Sequence, residues 1–204
     1  MKKTLVVTYT PREGSNTKEL IDHFISINKE KTEFSILDLT KEVPDLLLEK
    51  NLGLIFKDNY TEESLSDSEQ QVLEKNNKMV SQVLEADYIV IGFPMYNFSL
   101  PATVKAWVDA IIQTGKTFML GEEGYVGLCR GKQALTIMTT GSDFGVPPLD
   151  SMNYATPLIK TDLEFIGIPS KHISAFGLQQ YGDRLSEILE KAKKEITAVS
   201  DQWY

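Results

Sequence analysis

Short apolar runs alternate along the chain with stretches in which apolar residues recur at helical spacing. Thr4 to Thr8 is β-branched and apolar and predicts a buried strand. Behind it, Gly14-Ser15-Asn16-Thr17 offers capping residues for a helix whose Leu20, Ile21, Phe24 and Ile25 share a face. Glu33 to Leu37 reads as a second strand and Tyr88 to Gly92 as a third. Between them, Asp67 to Glu85 carries Val72, Met79, Val80 and Val83 at helical intervals. Pro44 to Leu65 reads as a long, less regular connection around the apolar patch Leu52-Gly53-Leu54-Ile55-Phe56. Pro101 fits the first turn of a helix, where a missing N–H costs nothing, and Val104, Trp107, Val108, Ile111 and Ile112 follow on one stripe. A fourth strand is expected over Gln133 to Met138 and a fifth over Lys171 to Ala175, flanked by helices near Tyr154 to Ile166 and Arg184 to Val199. Two short runs that meet at Gly121-Glu122-Glu123-Gly124 predict a small hairpin between Lys116 and Leu128.

Five strands alternating with five helices predict a doubly wound α/β fold, a parallel sheet whose right-handed crossovers place helices on both faces. Ligands of such sheets sit beyond the carboxyl ends of the strands, near a topological switch point. The loops at those ends are therefore where chemistry is expected.

With 204 residues the chain is long enough for one well-buried domain, expected to span residues 1–204. No repeat, low-complexity stretch or linker interrupts it. A formal net charge of −8 argues against a general footprint for nucleic acid or for an anionic membrane surface. An anionic ligand needs a local site instead. The single cysteine, Cys129, rules out an intrachain disulfide and fits a reducing compartment. The run Leu5-Val6-Val7 is too short for a signal sequence, and no stretch approaches the ~20 apolar residues that span a bilayer. A cytoplasmic location is expected.

Three loops carry candidate chemistry. The first, Tyr9-Thr10-Pro11-Arg12-Glu13-Gly14-Ser15-Asn16-Thr17, places hydroxyl and amide donors just before a helix, where unpaired N–H groups and the helix dipole favour an anion. Several neutral donors at roughly 1.5–3 kcal/mol each can hold a phosphate without a lysine. An ordinary helix cap is the equal alternative. The third-strand loop, Pro94-Met95-Tyr96-Asn97-Phe98, offers an apolar edge, aromatic bulk and backbone donors, which suit a planar heteroaromatic ring with a hydrogen-bonding edge. The fourth-strand loop, Thr139-Thr140-Gly141-Ser142, combines hydroxyls with a glycine that lets backbone approach a ligand. Plain packing and a plain turn are the alternatives for these two.

Pro94-Met95-Tyr96-Asn97-Phe98 followed by Leu100-Pro101-Ala102 and Lys105-Ala106-Trp107-Val108-Asp109 resembles the flavodoxin-like FMN-dependent NADH:quinone oxidoreductases and azoreductases. Gly115-Lys116-Thr117-Phe118, Gly131-Lys132 and Phe165-Ile166-Gly167-Ile168 extend the likeness over nearly the whole chain. The resemblance implies a five-stranded sheet of order 2-1-3-4-5. It implies FMN held at its phosphate by Thr10, Ser15, Asn16 and Thr17, along its ring by Met95, Tyr96, Asn97 and Phe98 beside Pro94, and by Thr139, Thr140, Gly141 and Ser142. Members commonly carry Ser-Arg-Gly-Gly or similar at the fourth-strand loop, so this chain lacks that arginine and one glycine. NADH or NADPH would reduce the flavin, and a quinone or azo compound would reoxidise it in a ping-pong cycle, with no side chain required as acid or base. A homodimer is expected from the likeness and from the apolar Leu52 to Phe56 segment. A flavodoxin-type electron carrier without small-molecule turnover is the alternative.

Other motifs carry less. Gly115-Lys116-Thr117 resembles the tail of a phosphate-binding loop, but the required first glycine would be Ala110, inside a helix. No Gly-x-Gly-x-x-Gly follows the first strand. His23 and His172 lie apart without companion cysteines, so no metal site is expected. Cys129 reads as a packing residue, and Thr61 to Asp67 as a solvated turn and helix start.

Overall fold

The computed structural model describes residues 1–204. In chain order the elements are β1 (Lys2–Thr8), α1 (Asn16–Asn28), β2 (Thr32–Asp38), α2 (Glu49–Tyr60), α3 (Asp67–Glu85), β3 (Tyr88–Pro94), α4 (Ala102–Ile111), β4 (Phe118–Gly121), β5 (Gly124–Gly127), β6 (Gln133–Thr139), α5 (Ala155–Phe165), β7 (Ser170–Ala175) and α6 (Leu185–Trp203). Five strands form one parallel sheet in the order β2-β1-β3-β6-β7, while β4 and β5 pair antiparallel as a separate hairpin. With the hairpin set aside, this is the expected order 2-1-3-4-5.

The interior strands β1, β3 and β6 are buried on both faces, which is why they appear in sequence as unbroken apolar runs. Successive side chains alternate between faces. Leu5, Val7, Ile89 and Ile91 enter a core with Met79 and Val83 of α3, Val104, Trp107 and Ile111 of α4, and Ile159 and Leu163 of α5. Val6, Val90, Leu135 and Ile137 enter the other core, with Leu20, Ile21 and Phe24 of α1 and Leu189, Ile196 and Trp203 of α6. Gly92 lets α1 approach β3 closely, since a Cβ there would overlap the Ile21 side chain. That approach brings the start of α1 beside the loop leaving β3.

Two expectations need correction. Residues 49–60, within the stretch read as an irregular connection, form α2, so there are six α-helices and not five. The helix lacks the usual signals: Leu48 occupies its cap, and Asn51 fixes the start by accepting from Leu48 N at 2.7 Å and donating to Leu46 O at 2.5 Å. Leu52 and Phe56 face outward, so no buried apolar stripe marks it. Pro101 stands at the cap of α4 with ψ 144°, one residue before the first turn.

The expected hairpin is present. Phe118 and Tyr125 pack on Phe165 of α5 at ring separations of 4.8 and 5.4 Å. Gly127 meets Gly167 backbone to backbone, and Cys129 N donates to Ile166 O at 2.9 Å. Cys129 is buried and burial pushes its thiol up, so it stays protonated packing material. Lys116 belongs to this region's scaffold: it binds Asp58 at 2.8 Å and Asn77 at 3.0 Å, while the buried Thr117 hydroxyl bonds Ile111 O at 2.7 Å.

Candidate functional site

The loop leaving β1 reaches α1 through Gly14, whose φ of +63° suits a residue without Cβ. Ser15 caps the helix, its Oγ accepting from Lys18 N at 3.3 Å. The N–H groups of Asn16 and Thr17 meet no acceptor within the chain. They lie where the helix dipole is positive, which makes this end of the site a receptor for an anion.

The exit from β3 is a tight reversal. Tyr96 N donates to Ser99 O at 3.1 Å, and Ser99 N returns the bond to Tyr96 O at 3.0 Å. Asn97 and Phe98 between them have φ of +46° and +71°, the left-handed pair of a type I′ turn that favours Asn-Gly. A phenylalanine in the second position costs about 1–3 kcal/mol of backbone strain. The N–H groups of Asn97 and Phe98 take no acceptor in the chain. The Phe98 ring stands 5.9 Å from that of Phe144 in an edge-on arrangement, and its carbonyl accepts from Tyr154 N at 3.0 Å. The turn is thus held at both ends.

The exit from β6 is braced by the turn that follows β7. Leu178 N donates to Thr140 O at 3.0 Å, Gln179 N to Gly141 O at 2.9 Å, and Gly177 N to Ser142 O at 3.0 Å. Across the cleft floor, the Thr17 and Thr139 hydroxyls lie 2.6 Å apart, both buried. One of the two must donate to the other, which leaves a single hydroxyl proton for a ligand.

These loops enclose a cavity of about 310 Å³. Ser15, Asn16 and Thr17 line it from the first loop, Pro94, Met95 and Tyr96 from the second, and Thr139, Thr140 and Gly141 from the third. Four of the sequence-derived residues lie elsewhere. Thr10 lines a neighbouring cleft with Thr8, Lys18 and Asp38. Asn97 and Phe98 continue outward on the exposed turn, and Ser142 is exposed outside the lining, its carbonyl accepting also from Thr140 Oγ1 at 2.5 Å.

Leu178 and Gln179, from the loop after the last strand of the sheet, also line the cavity. The strand-end rule points to that loop too, and its sequence Phe176-Gly177-Leu178-Gln179-Gln180-Tyr181 carries amide donors and aromatics of the same kind as the other three. Arg12 is the only charged side chain in the lining, and it enters none of the chain's ion pairs. Neutral donors and one free guanidinium at one end, with Pro94, Met95 and Tyr96 at the other, fit a phosphate joined to a flat ring system, as in FMN.

A parallel sheet of this order, with its cleft at the carboxyl ends of β1, β3 and β6, defines a flavodoxin-like α/β protein. A family model described as a flavodoxin-like fold matches residues 2–199. An FMN-dependent NADH:quinone oxidoreductase of Hydrogenovibrio crunogenus is 40% identical over 187 residues, covering 90% of this chain and 91% of the relative. One from Caldicellulosiruptor saccharolyticus is 34% identical over the full length of both chains. An azoreductase crystal structure from Bacillus anthracis superposes with a TM-score of 0.91 at 26% identity, over 99% of this chain and 100% of that one. The chain belongs to the flavodoxin-like family that includes the FMN-dependent NADH:quinone oxidoreductases.

Proposed function

We propose that the chain is an FMN-dependent oxidoreductase that passes reducing equivalents from NADH or NADPH to quinones or azo compounds. The observation that carries this reading is that Ser15 and Tyr96 line one cavity, joining an anion receptor to an apolar, aromatic wall. The names of the relatives support the same chemistry. Bound FMN supplies the two-electron acceptor and donor.

The protein's own residues bind and orient. Ser15, Asn16 and Thr17, with Arg12, hold the phosphate. Pro94, Met95 and Tyr96 pack along the ring, and the free N–H groups of Asn97 and Phe98 face charge that gathers on it. Thr139, Thr140 and Gly141 close the opposite wall. No carboxylate or imidazole lines the cavity, which suits a ping-pong cycle in which the two substrates visit in turn and neither needs a general acid from the chain.

Residues 1–204 act as one domain in this reading, as a homodimer in the cytoplasm. Support for the dimer is the row of exposed apolar side chains Leu46, Leu48, Leu52, Phe56 and Tyr60 on and before α2. Sedimentation at micromolar concentration should give twice the chain mass; a monomer would overturn that part. For the activity, the purified protein with FMN should be yellow, NADH should bleach it anaerobically, and a benzoquinone should restore the colour. A preparation that takes up no FMN sinks the proposal, and bleaching without quinone turnover identifies an electron carrier.

A further inference from the structure

Two consecutive glutamines follow β7, and the fold uses them differently. Gln180 is structural: its Oε1 accepts from Asp143 N at 2.9 Å and its Nε2 reaches Tyr181 Oη at 3.1 Å. The Gln179 carboxamide has no hydrogen-bond partner in the chain, yet its backbone is fixed by the bond from its N–H to Gly141 O at 2.9 Å. Its side chain lies against Gly141 on the cavity wall. A Cβ built on Gly141 would stand 2.7 Å from Gln179 Oε1 and 3.1 Å from Cδ. The space a side chain at 141 would take is occupied by this carboxamide, so a ligand at that wall meets the Gln179 side chain beside Gly141.

A primary carboxamide presents a donor and an acceptor side by side. Its complement is a ring edge that offers a carbonyl next to an N–H. The geometry points to Gln179 as a cofactor-contacting residue whose carboxamide pairs with the imide edge of the flavin's pyrimidine ring. This assignment rests on the FMN reading of the cavity. It also accounts for the glycine at 141, since a Cβ there would crowd the carboxamide.

The test measures dissociation constants by flavin fluorescence quenching for FMN and for N3-methyl-FMN, in which the imide N–H is blocked. Gln179→Ala should weaken FMN about three- to tenfold, the range of one neutral hydrogen bond, leave N3-methyl-FMN affinity unchanged, and leave Tm unchanged because the side chain makes no internal bond. Gly141→Ala should displace the carboxamide and reproduce the loss, with the double variant no weaker than either single one. Unchanged FMN affinity in Gln179→Ala overturns the inference. Equal weakening of both flavins does so as well, because it denotes general packing and not imide recognition. Losses that simply multiply in the double variant overturn it by separating Gln179 from Gly141. Failure of the unmodified protein to bind FMN is a different result, which ends the functional proposal itself.

Discussion

The hydroxyls of Thr17 and Thr139 meet at 2.6 Å, tying the first turn of α1 to the end of β6 beneath the cavity. Replacing one threonine by valine keeps the shape but strands the other hydroxyl in a buried place. The expected cost is about 1–3 kcal/mol for either Thr17→Val or Thr139→Val. The double variant should regain most of that loss, because both unsatisfied groups are gone. Urea unfolding of the four proteins checks the cycle, and simple additivity would mean that the two hydroxyls do not act as a pair.

Arg12 is free of carboxylates in a chain of net charge −8, at the cavity end rich in donors. Arg12→Gln should weaken FMN by about tenfold, in keeping with loss of a partly screened charge-assisted hydrogen bond. Riboflavin, which lacks the phosphate, should bind both proteins equally. Titrations at low and high salt check the cause: raising salt should weaken FMN binding to the unmodified protein more than to the variant.

Gly127 and Gly167 seat the β4–β5 hairpin against the turn before β7 without any side chain between them. Gly127→Ala should cost about 1–3 kcal/mol, since the opposing atoms are backbone and cannot rotate away. Gly121→Ala, in the same hairpin, faces a valine methyl that can shift, and should cost less. Thermal unfolding of the two variants distinguishes them.

Glu69 holds the start of α3, accepting from Ser66 N at 2.8 Å and binding Lys57 at 3.1 Å. The bond from Ser66 N comes first in lowering its carboxyl from the ordinary 4.5 to about 2, and Lys57 follows. A carboxylate lowered by folding stabilises the native state fully above its ordinary pKa. That contribution then declines as pH falls from about 4.5 towards 2. The slope of stability against pH in that window should shrink in Glu69→Gln, as urea midpoints at successive pH values would reveal. An unchanged slope would show that the cap does not carry it.

How much could be read from residues alone follows from where each signal resides. The interior strands were legible because burial on both faces writes itself as an apolar run, and α3 because Met79, Val80 and Val83 recur at helical spacing on its buried face. The α2 helix was hidden because a leucine sits at its cap and its apolar residues face outward. The first three site loops were legible from strand ends combined with donors or aromatics. The loop after β7 carries the same kind of signal, but sequence does not separate Gln179, which lines the cavity, from Gln180, which does not, because that choice is set by contacts with the β6 loop, distant in sequence. The displacement of Thr10 from the cavity lining has a similar origin: it turns to a different cleft from its neighbours Pro11 and Arg12 once the backbone is fixed.

The turn between Tyr96 and Ser99 has an evolutionary corollary. Judged by foldability alone, random substitution at position 98 would settle on the residue with no side chain, which adopts that backbone shape freely. The ring that stands there instead packs edge-on against Phe144, so a library randomised at this codon and sorted first for heat resistance, then for turnover, separates the two causes: a common winner credits that packing, and different winners credit the catalyst.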